Sequence, residues 1–426
     1  LDVHGAGGGD RGYFNVFAHY ADSNGGRRNG QQDQQSLSGR AGLYLGAGEL
    51  FVDYAAYKDS SGLPGYLTTT AYHADPRASA TPSDWQKRDG TRLRPGVKLP
   101  LTDALTLEAE VSTEGEDQHA NYASFGSRSD RNKDMLSFTP RLRWRHGLGG
   151  LGSETVLGLD YYDGDVDARY STAPRQKASQ TSSAAYFQNV TSLSEAWALT
   201  LGVRSQRLEQ DAHQDAYPPW FSPAVDGSAT RRRNAWDLGA SYSGQGWRAY
   251  GKAGTTFRFP NTDELFGFSA ILGVPVFAGD LKPQHGTIIE LGGSFALGPL
   301  QGRASLYRMR LEDEIGYDGA SGSNVNFDPT RRQGFEAELD WRIVERLKVK
   351  LAYAWTDAEF RDGPYDGNRV PLVPGNKATL QLSWDAGRAG SYAALVNYVG
   401  ERRYSGDYDN VRGMLSGITT LDLQAA

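Results

Sequence analysis

Large apolar side chains recur at every second residue through most of this 426-residue chain, and that period commits it to extended strands with two chemically different faces. Residues 347 to 356 place Leu347, Val349, Leu351, Tyr353 and Trp355 on one face, with Lys348, Lys350, Ala352, Ala354 and Thr356 on the other. Leu105, Leu107, Ala109 and Val111 alternate in the same way with Thr106, Glu108, Glu110 and Ser112. Trp197, Leu199, Leu201 and Val203 alternate with Ala198, Thr200, Gly202 and Arg204, and Leu380, Leu382 and Trp384 with Gln381 and Ser383. A soluble sandwich rarely needs so many strands of about 9 to 15 residues with one charged inner face. Apolar residues make up only 38% of the chain and mean hydropathy is -0.56, yet 11% of residues are aromatic. A membrane barrel needs that mixture, because half of each strand faces lipid, half faces a wet lumen, and Tyr and Trp collect at the interfaces.

About eighteen such segments are expected, beginning near residues 12, 34, 48, 88, 105, 134, 154, 178, 195, 229, 246, 286, 300, 325, 346, 377, 390 and 417. Short turns near residues 46–48, 102–103, 147–149, 192–194, 244–246, 298–299, 345–346 and 385–387 alternate with longer polar links. The longer links are 21–33, 59–87, 117–133, 170–177, 210–228, 258–285, 317–324, 358–376 and 404–416. Short turns on one side and long loops on the other are the asymmetry of an outer-membrane barrel, whose short turns face the periplasm. Trp144, Trp197, Trp247, Trp341 and Trp384 all lie beside short turns, where an indole suits the interface. No apolar run approaches the roughly 20 residues of a helical span. The chain has no Cys, which excludes disulfides and thiolate sites, and its net charge of -6 carries no nucleic-acid signature. It does not begin with Met and shows no signal peptide, so a processed or truncated start is expected.

Several stretches go beyond barrel grammar. Phe257-Arg258-Phe259-Pro260-Asn261-Thr262-Asp263-Glu264-Leu265 is followed by Leu281-Lys282-Pro283 and then Glu290-Leu291-Gly292. Further on come Gly334-Phe335-Glu336 and Val370-Pro371-Leu372-Val373-Pro374, and earlier Ala184-Ala185-Tyr186-Phe187-Gln188-Asn189. In this order and spacing the motifs resemble TonB-dependent receptors over roughly residues 180 to 423. The resemblance implies an all-β fold, a transmembrane antiparallel β-barrel with about 18 strands present of an expected 22. Residues 1–426 would then be a partial receptor barrel domain, with the plug domain, two leading strands and two trailing strands outside the chain. Eighteen segments could close on themselves antiparallel. Gly334 is expected to allow close approach of a neighbouring backbone.

The resemblance further implies a multi-pass protein of the bacterial outer membrane that takes up a scarce ligand, energised by a TonB-type periplasmic partner acting through the plug. Its partners would be outer-membrane lipid and a small metal chelate, without nucleic acid. Ferric siderophores are the leading substrate class, with cobalamin, other metallophores, haem and cofactor-like compounds as alternatives. Candidate rim residues are Tyr66, His73, Trp85, Tyr122, Phe125, Arg128, His213, Tyr217, Trp220, Phe221, Phe266, Phe268 and Phe277, since aromatics and Arg suit an anionic, partly aromatic chelate. The seven His are scattered without ligand spacing, so no protein-bound metal is expected. No cofactor or catalytic constellation is expected either, which sets aside a barrel protease or lipase. A passive porin, with an inward constriction loop and no plug, is the alternative of another class.

Overall fold

The alternating segments form strands that extend well past the apolar stretches that reveal them. The computed structural model describes residues 1–269, 274–319 and 321–425. In chain order the strands begin with β1 (Asp2–Gly9), β2 (Gly12–Ser23), β3 (Gln32–Leu45), β4 (Gly48–Gly62), β5 (Trp85–Pro100), β6 (Leu105–Tyr122), β7 (Ser127–Phe138) and β8 (Arg141–Leu148). They continue with β9 (Leu151–Tyr170), β10 (Gln176–Ser192), β11 (Trp197–Gln214), β12 (Val225–Gly244), β13 (Trp247–Arg258), β14 (Phe266–Ser269), β15 (Val274–Phe277) and β16 (Gln284–Leu297). The last are β17 (Leu300–Glu312), β18 (Glu314–Asp318), β19 (Ser323–Phe327), β20 (Thr330–Val344), β21 (Leu347–Phe360), β22 (Asn376–Asp385), β23 (Ser391–Val399) and β24 (Ile418–Ala425).

Twenty of these strands make one sheet, every pairing antiparallel, while β14 with β15 and β18 with β19 are small hairpins in the loops. β7 and β8 are two halves of one stave, since both lie between β6 and β9 in unbroken register. Pro140 makes the interruption by removing one ladder N–H, although its carbonyl still accepts Leu159 N at 3.0 Å. No described helix is long and apolar enough to cross a membrane. The architecture is therefore the large antiparallel barrel sheet that the alternation implies.

Three features depart from the expected segmentation. The Gly-rich start is a strand, paired with β2 from Asp2↔His19 to Gly9↔Gly12, which brings the staves to nineteen. Glycines carry no side chains to alternate, so the period is silent there. With nineteen staves the first and last run in the same direction, and the antiparallel closure open to eighteen does not apply. Among the described residues β1 pairs only with β2, and β24 only with β23. The link expected at 117–133 is mostly strand, reduced to a single turn at Ala123–Phe125. The segment expected from 325 divides into the loop strand β19 and the sheet strand β20.

Register fixes the two faces. Across β11 and β12 the rungs Trp197–Tyr242, Leu199–Ala240, Leu201–Leu238 and Val203–Trp236 form an outward apolar band. Leu201, Val203, Trp236 and Leu238 are 44%, 48%, 46% and 52% exposed, so this band meets the surroundings and not a core. The five tryptophans beside short turns are 42 to 53% exposed at one end of it. Trp197, Tyr242 and Trp247 form a chain of rings with centroids 5.1 and 5.0 Å apart. The inner face is polar and ion-paired across strands: Asp53 bridges Arg40 at 2.5 Å and Arg94 at 2.6 Å, Arg204 meets Asp160 at 2.6 Å, and Lys252 meets Glu290 at 2.9 Å. At Gly334, on this inner face, an added Cβ would lie 2.5 Å from the Trp355 carbonyl oxygen and 2.6 Å from the Tyr307 ring. The close approach expected of that glycine is present.

Candidate functional site

A strand of about 9 to 11 residues crosses a bilayer. β9 and β12 have 20 residues and β11 has 18, so their ends farthest from the short turns rise as a wall beyond the apolar band. On the inner face of that wall the exposure pattern reverses. Leu208, Gln210, Ala212 and Gln214 of β11, which continue the inner row of Arg204, are only 1 to 5% exposed. What covers them is the link between β13 and β16, folded inward.

That link starts with a helical turn at Thr262–Leu265, closed by a capping box in which Asn261 accepts from Glu264 N and Glu264 accepts from Asn261 N. Glu264 also accepts from Arg258 Nη1 at 2.8 Å, so the Phe-Arg-Phe-Pro-Asn-Thr-Asp-Glu-Leu stretch is a self-clamped corner. Leu265 and Pro260 are fully buried. Asp263 reaches across the inner wall to pair with Arg131 of β7.

Gln210 and Arg231 lock the link to the wall. Gln210 Nε2 donates to Pro260 O and Gln180 Oε1, both at 2.9 Å, and its Oε1 accepts from Arg231 Nη1 at 2.8 Å. Arg231, 8% exposed, also donates to Leu281 O at 2.9 Å and Gly279 O at 3.0 Å. Arg231 has no carboxylate in contact among the described residues; its charge is spent on carbonyls, which fixes the returning limb of the link. Asn326 ties this ledge to the next loop, accepting from Lys282 N at 2.8 Å and donating to Lys282 O and Asp313 O at 2.9 Å. Ala278, Leu281 and Ile315 form a small core between them. Beyond it, Phe327, Phe360, Tyr365 and Tyr408 cluster, with Phe327 and Tyr408 centroids 4.6 Å apart. Burial, then the charges of Asp409 and Asp318, pushes the Tyr365 phenol above its ordinary value; burial and then Asp318 do the same at Tyr408. Both stay neutral hydrogen-bonding groups at neutral pH.

The candidates named from sequence are dispersed. Phe266 and Phe277 are cross-strand partners in the β14–β15 hairpin, and Phe277 lies on Gly227 of β12, where an added Cβ would be 2.0 Å from its ring. Tyr66 and Phe125 are 99% and 77% exposed on loop tips, and Phe221 is 93% exposed in a left-handed conformation with φ of 51°. His73 sits on the short helix α1 (Thr69–Ala74), edge-on to Tyr72. Tyr122 precedes the turn at Ala123–Phe125, and Tyr217 bridges to Ser222. Trp85, Arg128 and His213 occupy outward register positions, away from the lumen. The side chains of Trp220 and Phe268 lie outside the described residues. Sequence reasoning passed over Gln180, Gln210, Arg231 and Asn326, whose importance comes from tertiary contacts; Gln206, Gln210 and Gln214 at even positions beside Leu208 were the one available signal.

His213 is held by Asp226 at 2.6 Å and Asp215 at 2.9 Å, and these carboxylates raise its pKa above the ordinary 6.5. A raised histidine pKa stabilises the fold fully below about 6.5 and loses that contribution as pH climbs through the raised value. Amide protection at the β11–β12 hairpin end, taken relative to the intrinsic exchange rate at each pH, should therefore fall as pH rises above that range, and this fall should be lost in His213→Gln.

Known proteins share this fold. The iron-regulated outer membrane virulence protein of Vibrio cholerae is 26% identical over 251 residues, covering 53% of this chain and 35% of the relative. The metal-pseudopaline receptor of Pseudomonas aeruginosa is 26% identical over 249 residues, covering 56% of this chain and 33% of the relative. The chain thus spans about a third of the length of the curated relatives it matches. The crystal structure of the siderophore receptor PiuA from Acinetobacter baumannii superposes with a TM-score of 0.80 at 14% identity, covering 99% of this chain and 72% of that one. The sequence model of the family described as TonB dependent receptor-like, beta-barrel, matches residues 5–426, and this chain belongs to that family.

Proposed function

We propose that the protein containing this chain takes up a metal chelate, foremost a ferric siderophore, across the bacterial outer membrane, with energy delivered by a TonB-type periplasmic partner. The observation that carries this reading is the inward ledge at residues 259–269 and 274–283, locked by Gln210 and Arg231 above an ion-paired inner wall. A fixed ledge narrows the mouth and gives a ligand a built surface, while the charged wall below accommodates water or a polar domain. Arg131 Nε, Arg233 Nε and Gln214 Nε2 are buried donors without an acceptor among the described residues. Such donors at the mouth suit an anionic chelate. The relatives named above include receptors for metal chelates, which supports the same substrate class.

The inward ledge also favours a second reading, a passive diffusion channel constricted by its own loop. One experiment separates the two: deletion of the full-length gene, followed by uptake of a panel of labelled ferric siderophores and cobalamin under iron limitation. The receptor reading expects loss of one ferric chelate's uptake, with that uptake abolished by a protonophore in the parent strain. Unchanged uptake of the whole panel, together with reduced leakage of small solutes, would establish the channel instead.

A further inference from the structure

Asp263 carries a carboxylate of the ledge onto a part of the inner wall that is built of hydrogen-bond donors. Its partner Arg131 shares a rung with Gln118 of β6 and Ala168 of β9, and the rung continues through Gln176 of β10 to Gln214 of β11. Register partners share a face, and Gln214 belongs to the inner row, so Arg131, Gln176 and Gln214 all project inward. Between them the wall is low, because Ala168, Ala178 and Ala212 hold inner positions on three successive strands. The helical turn Thr262–Leu265 packs over β10 and β11, and the three alanines are 4 to 6% exposed. Under that cover two donors have no acceptor among the described residues: Nε of Arg131 and Nε2 of Gln214. Gln214 is 2% exposed, and its Oε1 is taken by Gln176 Nε2 at 2.9 Å. Buried donors left open carry a cost that an acceptor would remove.

The pair of Arg131 with Asp263 is unevenly hydrated. The Arg131 side chain is 21% exposed and that of Asp263 61%. An exposed carboxylate exchanges its partner for water at small cost, whereas a largely buried guanidinium needs another anion in its place. Asp263 is therefore the member that can leave. Its departure does not bring down the ledge, which Gln210, Arg231 and the Arg258–Glu264 pair hold separately. We propose that Arg131 and Gln214 form a carboxylate-binding subsite over the alanine floor, and that Asp263 fills it as an intramolecular competitor until a carboxylate of the ligand displaces it. The inference rests on the uptake reading and narrows its substrate class to chelates that carry free carboxylates. A carboxylate is the resident group, and its two oxygens match the fork of a guanidinium. Three strand spacings of about 4.8 Å separate Arg131 from Gln214, so a ligand lying across the floor meets a donor at each end. Gln176 acts as a positioning residue, since by occupying the Gln214 oxygen it leaves Nε2 as the free donor.

The test is isothermal titration of the full-length protein in neutral detergent with metal-free citrate, comparing the wild type with Asp263→Asn. Folding is checked by heat-modifiable gel mobility. Asparagine keeps the size of the side chain and removes its charge. The variant should bind citrate about tenfold more tightly, the factor expected when a competitor leaves a site open only about a tenth of the time. Adding Arg131→Gln to Asp263→Asn should abolish the gain. If that double variant fails to fold, Asp263→Asn with Gln214→Met keeps the guanidinium and should still forfeit part of the gain. Equal affinity in wild type and Asp263→Asn, no binding by either, or a gain that survives the second substitution overturns the proposal. An equal gain for sulfate also overturns it, by assigning the site to any small anion. The titration involves neither metal nor transport, so its failure leaves the uptake reading standing, and a failed uptake panel leaves a measured carboxylate site without a transport role.

Discussion

Replacing Arg231 by Met should release the ledge at residues 259–269 and 274–283 from the inner wall while leaving the barrel folded. Arg231 makes three hydrogen bonds to the ledge and its neighbour, to Leu281 O, Gly279 O and Gln210 Oε1. Hydrogen bonds from a charged group contribute about 1.5–3 kcal/mol each, and part of that total is offset because a buried guanidinium is costly to desolvate. Methionine fills much of the volume and avoids a bare cavity, which leaves a net loss of about 3 kcal/mol. That falls on a segment whose closure is local, so the ledge opens before any stave does. Hydrogen exchange at residues 277–284 should then rise by about a hundredfold, since each 1.4 kcal/mol is a factor of ten. Protection in β10 to β12 near the short turns should not change. Unaltered exchange at 277–284 would mean that Leu265, Pro260 and Leu281 hold the ledge by packing alone.

The barrel was legible in the sequence because one physical requirement acts at every rung. Lipid outside and water inside enforce apolar and polar side chains in turn, so strands such as Leu347–Phe360 and Trp197–Gln214 announce themselves at their short-turn ends. The signal fades where that requirement stops. Above the band both faces meet water, and residues 117 to 122 and 127 to 133 keep their ladder with no hydropathy alternation to show it. Gly5, Gly7, Gly8 and Gly9 hide β1 for the same reason, since a strand without side chains has no period.

The mouth was legible only in part. Aromatic residues in long links marked Phe266 and Phe277, which do lie together in the inward hairpin. The same criterion also selected Tyr66, Phe125 and Phe221, which extend into solvent, because aromatic content carries no information about which way a loop folds. The direction of folding is set by groups that look unremarkable in sequence. Gln210 is one of several glutamines in the inner row until Pro260 arrives above it, and Arg231 is the first of three consecutive arginines, of which Arg232 faces outward and Arg233 reaches the ledge only at Pro283 O. Such contacts connect positions about fifty residues apart, beyond the reach of any local period.

On the inner wall, Asp53→Ala should be the most damaging single change among the ion pairs. Asp53 is the shared partner of two arginines on flanking strands, with Arg40 Nε at 2.5 Å from one carboxylate oxygen and Arg94 Nη2 at 2.6 Å from the other. Removing it leaves two guanidiniums facing each other across β4, and only Arg94 has a second carboxylate nearby, Glu110 at 3.4 Å. Deleting one member of a buried pair costs about 3–5 kcal/mol, but both arginines are about a third exposed, so water recovers some of it and about 2–3 kcal/mol remains. With slopes of about 1–3 kcal/mol per molar urea, the unfolding midpoint should fall by about 1 M. The double variant Arg40→Met with Asp53→Leu separates charge from packing: it leaves Arg94 its Glu110 partner and no unpaired cation on β3, so it should recover most of the loss. If the single variant unfolds at the wild-type midpoint, the cross-strand charges shape the lumen's surface without holding the staves together; if the double variant is as weak as the single, the carboxylate's loss acts through packing and the repulsion between Arg40 and Arg94 is screened by the wet interior.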